Sequence, residues 1–111
     1  MFICEDDLRK MSAEALAQAM RTNELDDTCL TFAAEILGQL DTEHAYFPAL
    51  VELLQHEKAY VREGAVYGLW NYCRDETSGT AWYCRDCLRE VSIADLSHEV
   101  RAAARDALDS V

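Results

Sequence analysis

The segment His56–Cys73, HEKAYVREGAVYGLWNYC, contains the pattern on which the fold prediction rests. Within it, Val61, Ala65 and Leu69 recur at four-residue spacing, which places them on one face of a helix. A small residue between two larger apolar ones on that face is expected where helices pack closely. The segment therefore predicts one compact helix, and the remaining question is whether the chain repeats it.

Apolar residues recur at three- and four-residue spacing along nearly the whole chain, and no alternating stretch is long enough for a strand. The sequence therefore predicts an all-α fold in a single domain over residues 1–111. We expect Asp41-Thr42 to cap the third helix and Pro48 to fall within its first turns. The six predicted helices cover about residues 5–21, 26–40, 42–56, 56–73, 81–94 and 97–110, with a loop at Asp75–Thr80.

The pattern of the opening segment occurs three times. Aligned on their small residues, the copies are Cys29-x3-Ala33-x3-Leu37, Val61-x3-Ala65-x3-Leu69 and Val100-x3-Ala104-x3-Leu108. The offsets between them are 32 and 39 residues, and the seven extra residues match the loop at 74–80. This period predicts three stacked helical hairpins, at about residues 5–40, 41–73 and 80–111.

The three hairpins resemble the HEAT repeat family, especially its short bacterial form, in which an acidic residue closes the first helix and a Val-Arg pair opens the second. Asp95 followed by Val100-Arg101 fits this pattern, and Arg62 fits it as well. The first hairpin departs from it, because Leu30 replaces the arginine. The resemblance implies a short α-solenoid in which Arg62, Asp95 and Arg101 form a structural ladder along the repeats.

The charge of the chain indicates what kind of partner it binds. Ten Lys and Arg against 21 Asp and Glu give a formal net charge of −11, of which residues 1–57 carry −9 and residues 58–111 carry −2. Such a field repels a phosphate backbone, so direct binding of nucleic acid is not expected. The charge instead predicts a basic protein partner.

The sequence shows no targeting signal, and this favours a location in the cytoplasm. No apolar run approaches the roughly 18 residues of a membrane span, and the first ten residues lack the basic start of a signal peptide. Five cysteines are an odd number, which argues for reduced thiols in a reducing compartment. We therefore expect a cytoplasmic protein that does not bind membranes.

The predicted partner-binding surface combines aromatic and acidic side chains. Glu63, Tyr67 and Trp70 share the side of the fourth helix that faces away from Val61 and Ala65. Tyr and Trp are enriched at binding hot spots, although neighbouring helices that cover both rings are the alternative. With the carboxylates of the turn before the second helix, the predicted partner-binding residues are Glu24, Asp26, Asp27, Glu63, Tyr67 and Trp70.

One group of residues has the composition of a metal site. Cys84-x2-Cys87, with Cys73 before it and His98 after it, contains four potential zinc ligands. Structural zinc sites place such a pair at a tight turn, whereas Trp82-Tyr83 and the following apolar residues put both thiols on a helix. We therefore expect small core cysteines and no metal or other cofactor. A zinc-binding protein, or a bilin-binding one as some HEAT-like proteins are, is the alternative.

The sequence contains no visible catalytic apparatus. None of the three histidines accompanies a Ser or Cys in a pattern typical of a catalytic nucleophile. Neither a Gly-rich phosphate loop nor a His-Glu-x2-His run occurs. We therefore predict a protein-binding module without enzymatic activity. The specific hypothesis is an acidic inhibitor or immunity protein that occludes a basic, nuclease-like toxin or enzyme. An adaptor subunit and a DNA-mimicking inhibitor are the alternatives within the binding class.

Overall fold

A computed structural model describes residues 5–74 and 78–111, and within these ranges it contains helices but no strands. The all-α fold predicted from the spacing of apolar residues is therefore confirmed. Among the described helices, none is both long and apolar enough to cross a membrane. The helices are α1 Glu5–Arg9, α2 Ala13–Arg21, α3 Asp27–Leu40, α4 Phe47–Leu53, α5 Ala59–Trp70, α6 Gly79–Ala94 and α7 His98–Asp109, with a 3₁₀ turn at Asn71–Arg74 after α5.

Six of these helices form three hairpins, and α1 precedes them. α2 packs on α3, α4 on α5 and α6 on α7. The second helices of the hairpins, α3, α5 and α7, lie side by side, and we refer to them as the packed layer. The first helices, α2, α4 and α6, form the outer layer, in which contacts between neighbouring helices are sparse. α5 is therefore the central helix of the fold.

The backbones of α3 and α5 touch where they cross. A Cβ atom on Gly68 would collide with the carbonyl oxygen of Ala34, and one on Gly38 would collide with the carbonyl oxygen of Gly68. A Cβ atom on Gly64 would lie 2.8 Å from Cγ2 of Thr31. Any larger residue at Gly38 or Gly68 would push the two helices apart, so the crossing requires glycine at both positions.

The aligned small and large residues form the centre of the core. Ala33, Ala65 and Ala104 have no exposed area, and neither do Leu37 and Leu69. Leu108, the third residue of the leucine set, is only half-buried on α7. The aligned positions therefore face the same way in all three hairpins.

The single first helix expected over residues 5–21 is wrong, because the chain breaks it in two. The backbone N–H groups of Lys10 and Met11 bond to Asp7 and Leu8, which closes α1. Ser12 then accepts a hydrogen bond from the N–H of Ala15 at 3.1 Å and caps α2. A serine that satisfies these N–H groups starts a new helix without changing the apolar spacing.

The expected cap at Asp41-Thr42 is also wrong, because Asp41 ends α3 and α4 begins only at Phe47. The Asp41 carboxylate is buried, and it accepts hydrogen bonds from the N–H groups of Ala45 and Tyr46 at 2.9 and 2.7 Å. It also accepts one from the Tyr72 hydroxyl at 2.6 Å. Asp41 thus holds the loop before α4 onto the end of the second hairpin.

The remaining boundaries differ from the prediction by a few residues. Pro48 lies in the first turn of α4, as expected, since its missing N–H has no partner there anyway. α4 ends at Leu53 rather than at His56, and α5 gives way to the 3₁₀ turn at Asn71. Part of the predicted loop at Asp75–Thr80 lies outside the described residues.

Candidate protein-binding site

The solvent-facing side of α5 carries two tyrosines seven residues apart. Tyr60 is 47% exposed and Tyr67 is 44% exposed, although α5 has neighbours on both sides in the packed layer. The Tyr67 hydroxyl donates a hydrogen bond to Oε1 of Glu63, one helical turn earlier, at 3.1 Å. The ring is thus held in place on a rigid helix by a half-buried carboxylate.

Carboxylates from the two neighbouring helices also act on Tyr67. Its pKa is raised, first by partial burial, then by the hydrogen bond to Glu63 and by the negative charges of Glu63, Glu35 and Asp106. Glu35 belongs to α3 and Asp106 to α7. We define the α5 face as these two tyrosines and three carboxylates: Tyr60, Glu63, Tyr67, Glu35 and Asp106. Such a combination attracts a cation both through charge and through the aromatic ring faces.

The three predicted acidic residues at the start of α3 form a separate group at one end of that helix. Glu24 is exposed in the turn. Asp26 caps α3, accepting a hydrogen bond from the N–H of Cys29 at 2.8 Å. The Oδ1 atom of Asp27 lies 3.5 Å from Nε2 of His56, which belongs to the next hairpin. Two of the three carboxylates therefore already have structural partners.

Trp70, the other predicted aromatic anchor, is less accessible than Tyr67. Its ring is half-buried against the core, and the guanidinium of Arg74 lies 4.8 Å from the ring centroid. The indole Nε1 atom is buried and has no hydrogen-bond partner among the described residues. Tyr67 is therefore the more accessible of the two predicted aromatic anchors, and the ring of Trp70 packs partly against the core.

The three residues of the predicted ladder lie in contact at the turns between the helices of the second and third hairpins. Arg62 donates to Asp95 through Nε at 2.9 Å and Nη2 at 3.1 Å, and through Nη1 to the carbonyl of His56 at 2.8 Å. Nη1 of Arg101 donates to the Asp95 carbonyl at 2.5 Å. This arrangement joins α5 to the turn between α6 and α7, and a bidentate pair of this kind is directional as well as attractive.

The environment of Asp95 favours its charged form. Partial burial by itself would raise the pKa of Asp95. The hydrogen bonds from Arg62 and from the Ser97 N–H, with the charges of Arg62 and Arg101, outweigh burial and lower the pKa. Asp95 is therefore ionised at neutral pH and forms an ion pair with Arg62.

The candidate zinc ligands do not form a cluster. Among the described residues, no three His, Cys, Asp or Glu side chains are arranged to hold a metal ion. Cys73 and Cys84 are buried, and burial raises their pKa values to about 11 and about 12. Cys87 is half-buried, and His98 is exposed at the start of α7. The two buried thiols are thus protonated at neutral pH and pack as small apolar groups.

Sequence reasoning missed Tyr60, Glu35 and Asp106. The repeat alignment contained the signal for two of them, because its offsets of 32 and 39 residues place Glu35, Tyr67 and Asp106 at the same position in the three hairpins. Equivalent positions in stacked repeats form a row across the surface. In the structure the three residues lie on α3, α5 and α7, and both carboxylates are close enough to Tyr67 to act on it electrostatically.

Comparison with known proteins supports a helical repeat in the central part of the chain. Residues 47–74, from the first residue of α4 to the last of the 3₁₀ turn, match the family model of the Armadillo/beta-catenin-like repeat. No curated protein and no solved structure gives a significant match. The second hairpin is therefore similar to an armadillo-type helical repeat, a kind related to the HEAT repeats named above.

Proposed function

We propose that this protein is a non-catalytic binding module that holds a basic partner protein on the α5 face. The observation that carries this proposal is the row of Glu35, Tyr67 and Asp106, which occupy the same position in three successive repeats. Tyr67 lies on the central helix α5, and the two carboxylates lie on the neighbouring helices α3 and α7. Helical repeats of the armadillo kind are in general protein-binding modules, and the second hairpin is similar to one.

The α5 face can bind a cationic surface in two physically distinct ways. Carboxylates of Glu35, Glu63 and Asp106 attract Lys and Arg from a distance, and this attraction adds to the field of a chain with net charge −11. Tyr67 supplies a large ring that is already fixed by its bond to Glu63, so little conformational entropy is lost when a partner covers it. Charge would therefore govern association, and the ring would govern dissociation.

More specifically, we propose that the protein is a short HEAT-like solenoid and acts in the cytoplasm as an inhibitor or immunity protein. A rigid acidic surface of this size can block a basic active site or nucleic-acid-binding surface by covering it. This mechanism requires no chemistry from the module itself. A nuclease-like toxin or enzyme, whose substrate is a polyanion, is the partner class that fits an acidic inhibitor best.

Affinity capture with three versions of the protein tests the proposal. The baits are the wild type, a Tyr67→Ala/Glu63→Gln variant and a Trp82→Ala control, in which an exposed aromatic is removed from α6 instead. Extract from the cells of origin is passed over each bait, and bound proteins are identified by mass spectrometry. We expect a basic protein that binds the wild type and the control but not the α5-face variant.

The activity of the captured protein then distinguishes a binding module from an inhibitor. If the wild type abolishes nuclease activity of the captured protein, the inhibitor role is supported. A captured partner whose activity is unchanged would contradict the inhibitor role but not the proposed binding of a basic protein. Equal capture by the wild type and the α5-face variant would show that the site is wrong.

A further inference from the structure

The outer layer contains a gap beside its shortest helix. α4 has 7 residues and α6 has 16, so at 1.5 Å per residue they are about 10 and 24 Å long. The two helices meet at one end, where the rings of Phe47 and Tyr83 are 5.8 Å apart. Between α4 and α6, a groove of about 520 Å³ runs along α6 towards the turn before α7. The groove therefore lies between the short α4 and the longer α6.

This groove is lined by apolar and polar side chains in similar measure, the polar ones being Gln55, His56, Arg62, Glu90 and Asp95. Its apolar lining residues are Val51, Leu54, Tyr83, Cys87, Val91 and Leu96. Tyr83 is 52% exposed and Leu96 is 95% exposed, so two large hydrophobic side chains at the groove are accessible to solvent. Exposed apolar side chains that border a groove are typical of a surface that another molecule covers.

The charges around the groove are not balanced. Arg62 and Asp95 lie at its end, and they neutralise each other in the bidentate pair. Glu90 is exposed on the groove side of α6 and takes part in no ion pair among the described residues. Its carboxylate is close enough to the thiol of Cys87 to act on it electrostatically. The groove thus combines exposed apolar side chains with one carboxylate, that of Glu90, which has no cationic partner among the described residues.

We propose that this groove is a second docking surface, for an amphipathic helix of a basic protein. A helix fits because the groove follows one side of α6 from Tyr83 to Ala94, a length of about 16 Å or three helical turns. Aliphatic residues on one face of the docked helix would cover Leu96 and Val91, and a Lys or Arg beside them would pair with Glu90. A second copy of this chain fits less well, because two molecules of net charge −11 repel each other. The α5 face lies on the other layer and is not part of this surface.

Binding of a synthetic peptide tests the proposal. The probe is a fluorescent 16-residue helical peptide with Leu at positions i, i+3, i+4 and i+7 along one face and Lys on both flanks, titrated with the protein by anisotropy. A second peptide has Glu in place of Lys, and a third has the first composition in scrambled order. We expect saturable binding of the first peptide and binding at least about tenfold weaker for the other two.

Two variants locate the bound peptide. Leu96→Ser removes the exposed leucine of the groove and should weaken binding about tenfold, since covering a leucine contributes roughly 1.5 kcal/mol or more. Leu40→Ser is the matched control, because Leu40 is 41% exposed at the far end of α3, and it should leave binding unchanged. Glu90→Gln should weaken the Lys peptide but not the Glu peptide.

Three results would overturn the proposal. The first is equal binding of the Lys peptide to the Leu96→Ser and Leu40→Ser variants. The second is a wild type that sediments as a dimer while Leu96→Ser sediments as a monomer, which would assign the groove to a second copy. The third is saturable binding of an apolar dye, lost in Leu96→Ser, without binding of any peptide, which would assign the groove to a small molecule.

Discussion

The two helix layers of this protein differ in how closely they are packed. In the packed layer, α3 and α5 touch through Gly38, Gly64 and Gly68, and the space between them leaves no room for a methyl group at the crossing. In the outer layer, the short α4 has a cavity of about 390 Å³ on its α2 side and the groove of about 520 Å³ on its α6 side. Close packing is thus confined to the packed layer, and the outer layer leaves open space on both sides of α4. The packed layer fixes the fold and presents the α5 face, whereas the outer layer leaves apolar surface open.

The largest expected effect comes from a charge placed inside the packed layer. Ala65→Asp puts a carboxylate at a position with no exposed area, so we expect a loss of roughly 4 kcal/mol or more in the free energy of unfolding. Ala94→Asp, at an exposed position in the outer layer, should cost no more than about 1 kcal/mol. Urea unfolding followed by circular dichroism measures both. Similar losses for the two variants would contradict the assignment of stability to the packed layer.

The glycine crossing gives the next largest effect. Gly68→Ala should destabilise by about 3 kcal/mol, because its methyl group meets backbone atoms that cannot move aside, and this cost exceeds the gain in helix propensity. Gly79→Ala is the control, since no atom lies within 4 Å of its added Cβ at the start of α6. The midpoints of urea unfolding of the two variants can be compared directly. If Gly68→Ala is as stable as Gly79→Ala, the backbones of α3 and α5 do not touch.

The ladder joins the two layers and should have a smaller, pH-dependent effect. Asp95→Asn removes a carboxylate that is 7% exposed from its pair with Arg62, and we expect a loss of about 2 kcal/mol at pH 7. Because the pKa of Asp95 is lowered in the folded state, its contribution is present above the unfolded value of about 4 and disappears as pH falls through the folded value.

Unfolding of the wild type and Asp95→Asn at several pH values checks this. The difference in stability should be constant between about pH 5 and 7 and should shrink below about pH 4. Asp86→Asn, which breaks the exposed pair with Arg89, serves as the control and should cost at most about 0.5 kcal/mol at any pH. A difference for Asp95→Asn that persists undiminished at pH 2 would mean that the ionised pair is not its source.

Removal of metal should have the smallest effect of all. Because Cys73 and Cys84 are buried as thiols, we expect the helical circular dichroism signal and the melting temperature to stay the same after dialysis against a chelator. Both thiols should react with a disulfide reagent only when the protein is unfolded. Loss of helix on chelation would instead support the zinc alternative.

The all-α class and the three equivalent helices of the packed layer could be predicted because they depend on apolar spacing. The set of Ala33, Ala65 and Ala104 was enough to predict three equivalent helices, and the three residues are equally buried in the structure. Ser12 could not be recognised as a break, because an exposed serine leaves the apolar spacing on both sides unchanged. The part of the fold that depends on local spacing was therefore predictable, and the breaks within it were not.

The candidate site depended on distant contacts, which spacing does not reveal. Asp41 has the sequence signature of a helix cap, but the Tyr72 hydroxyl, 31 positions later, and two loop N–H groups hold it at the end of α3 instead. The partial burial of Trp70 likewise depends on packing around the end of α5. Glu35 and Asp106 share the repeat position of Tyr67, but their closeness to its ring depends on the packing of α3 and α7 against α5.

The salt dependence of association with the captured basic partner tests the central claim most directly. If the carboxylates around Tyr67 attract that partner, the association rate constant should fall at least about tenfold between about 50 and 500 mM NaCl, while the dissociation rate constant changes little. A Glu35→Gln/Asp106→Asn variant should show slower association at low salt and a flatter dependence. Association rates that are independent of salt, or equal for the variant and the wild type, would contradict the proposal that the α5 face binds a basic protein.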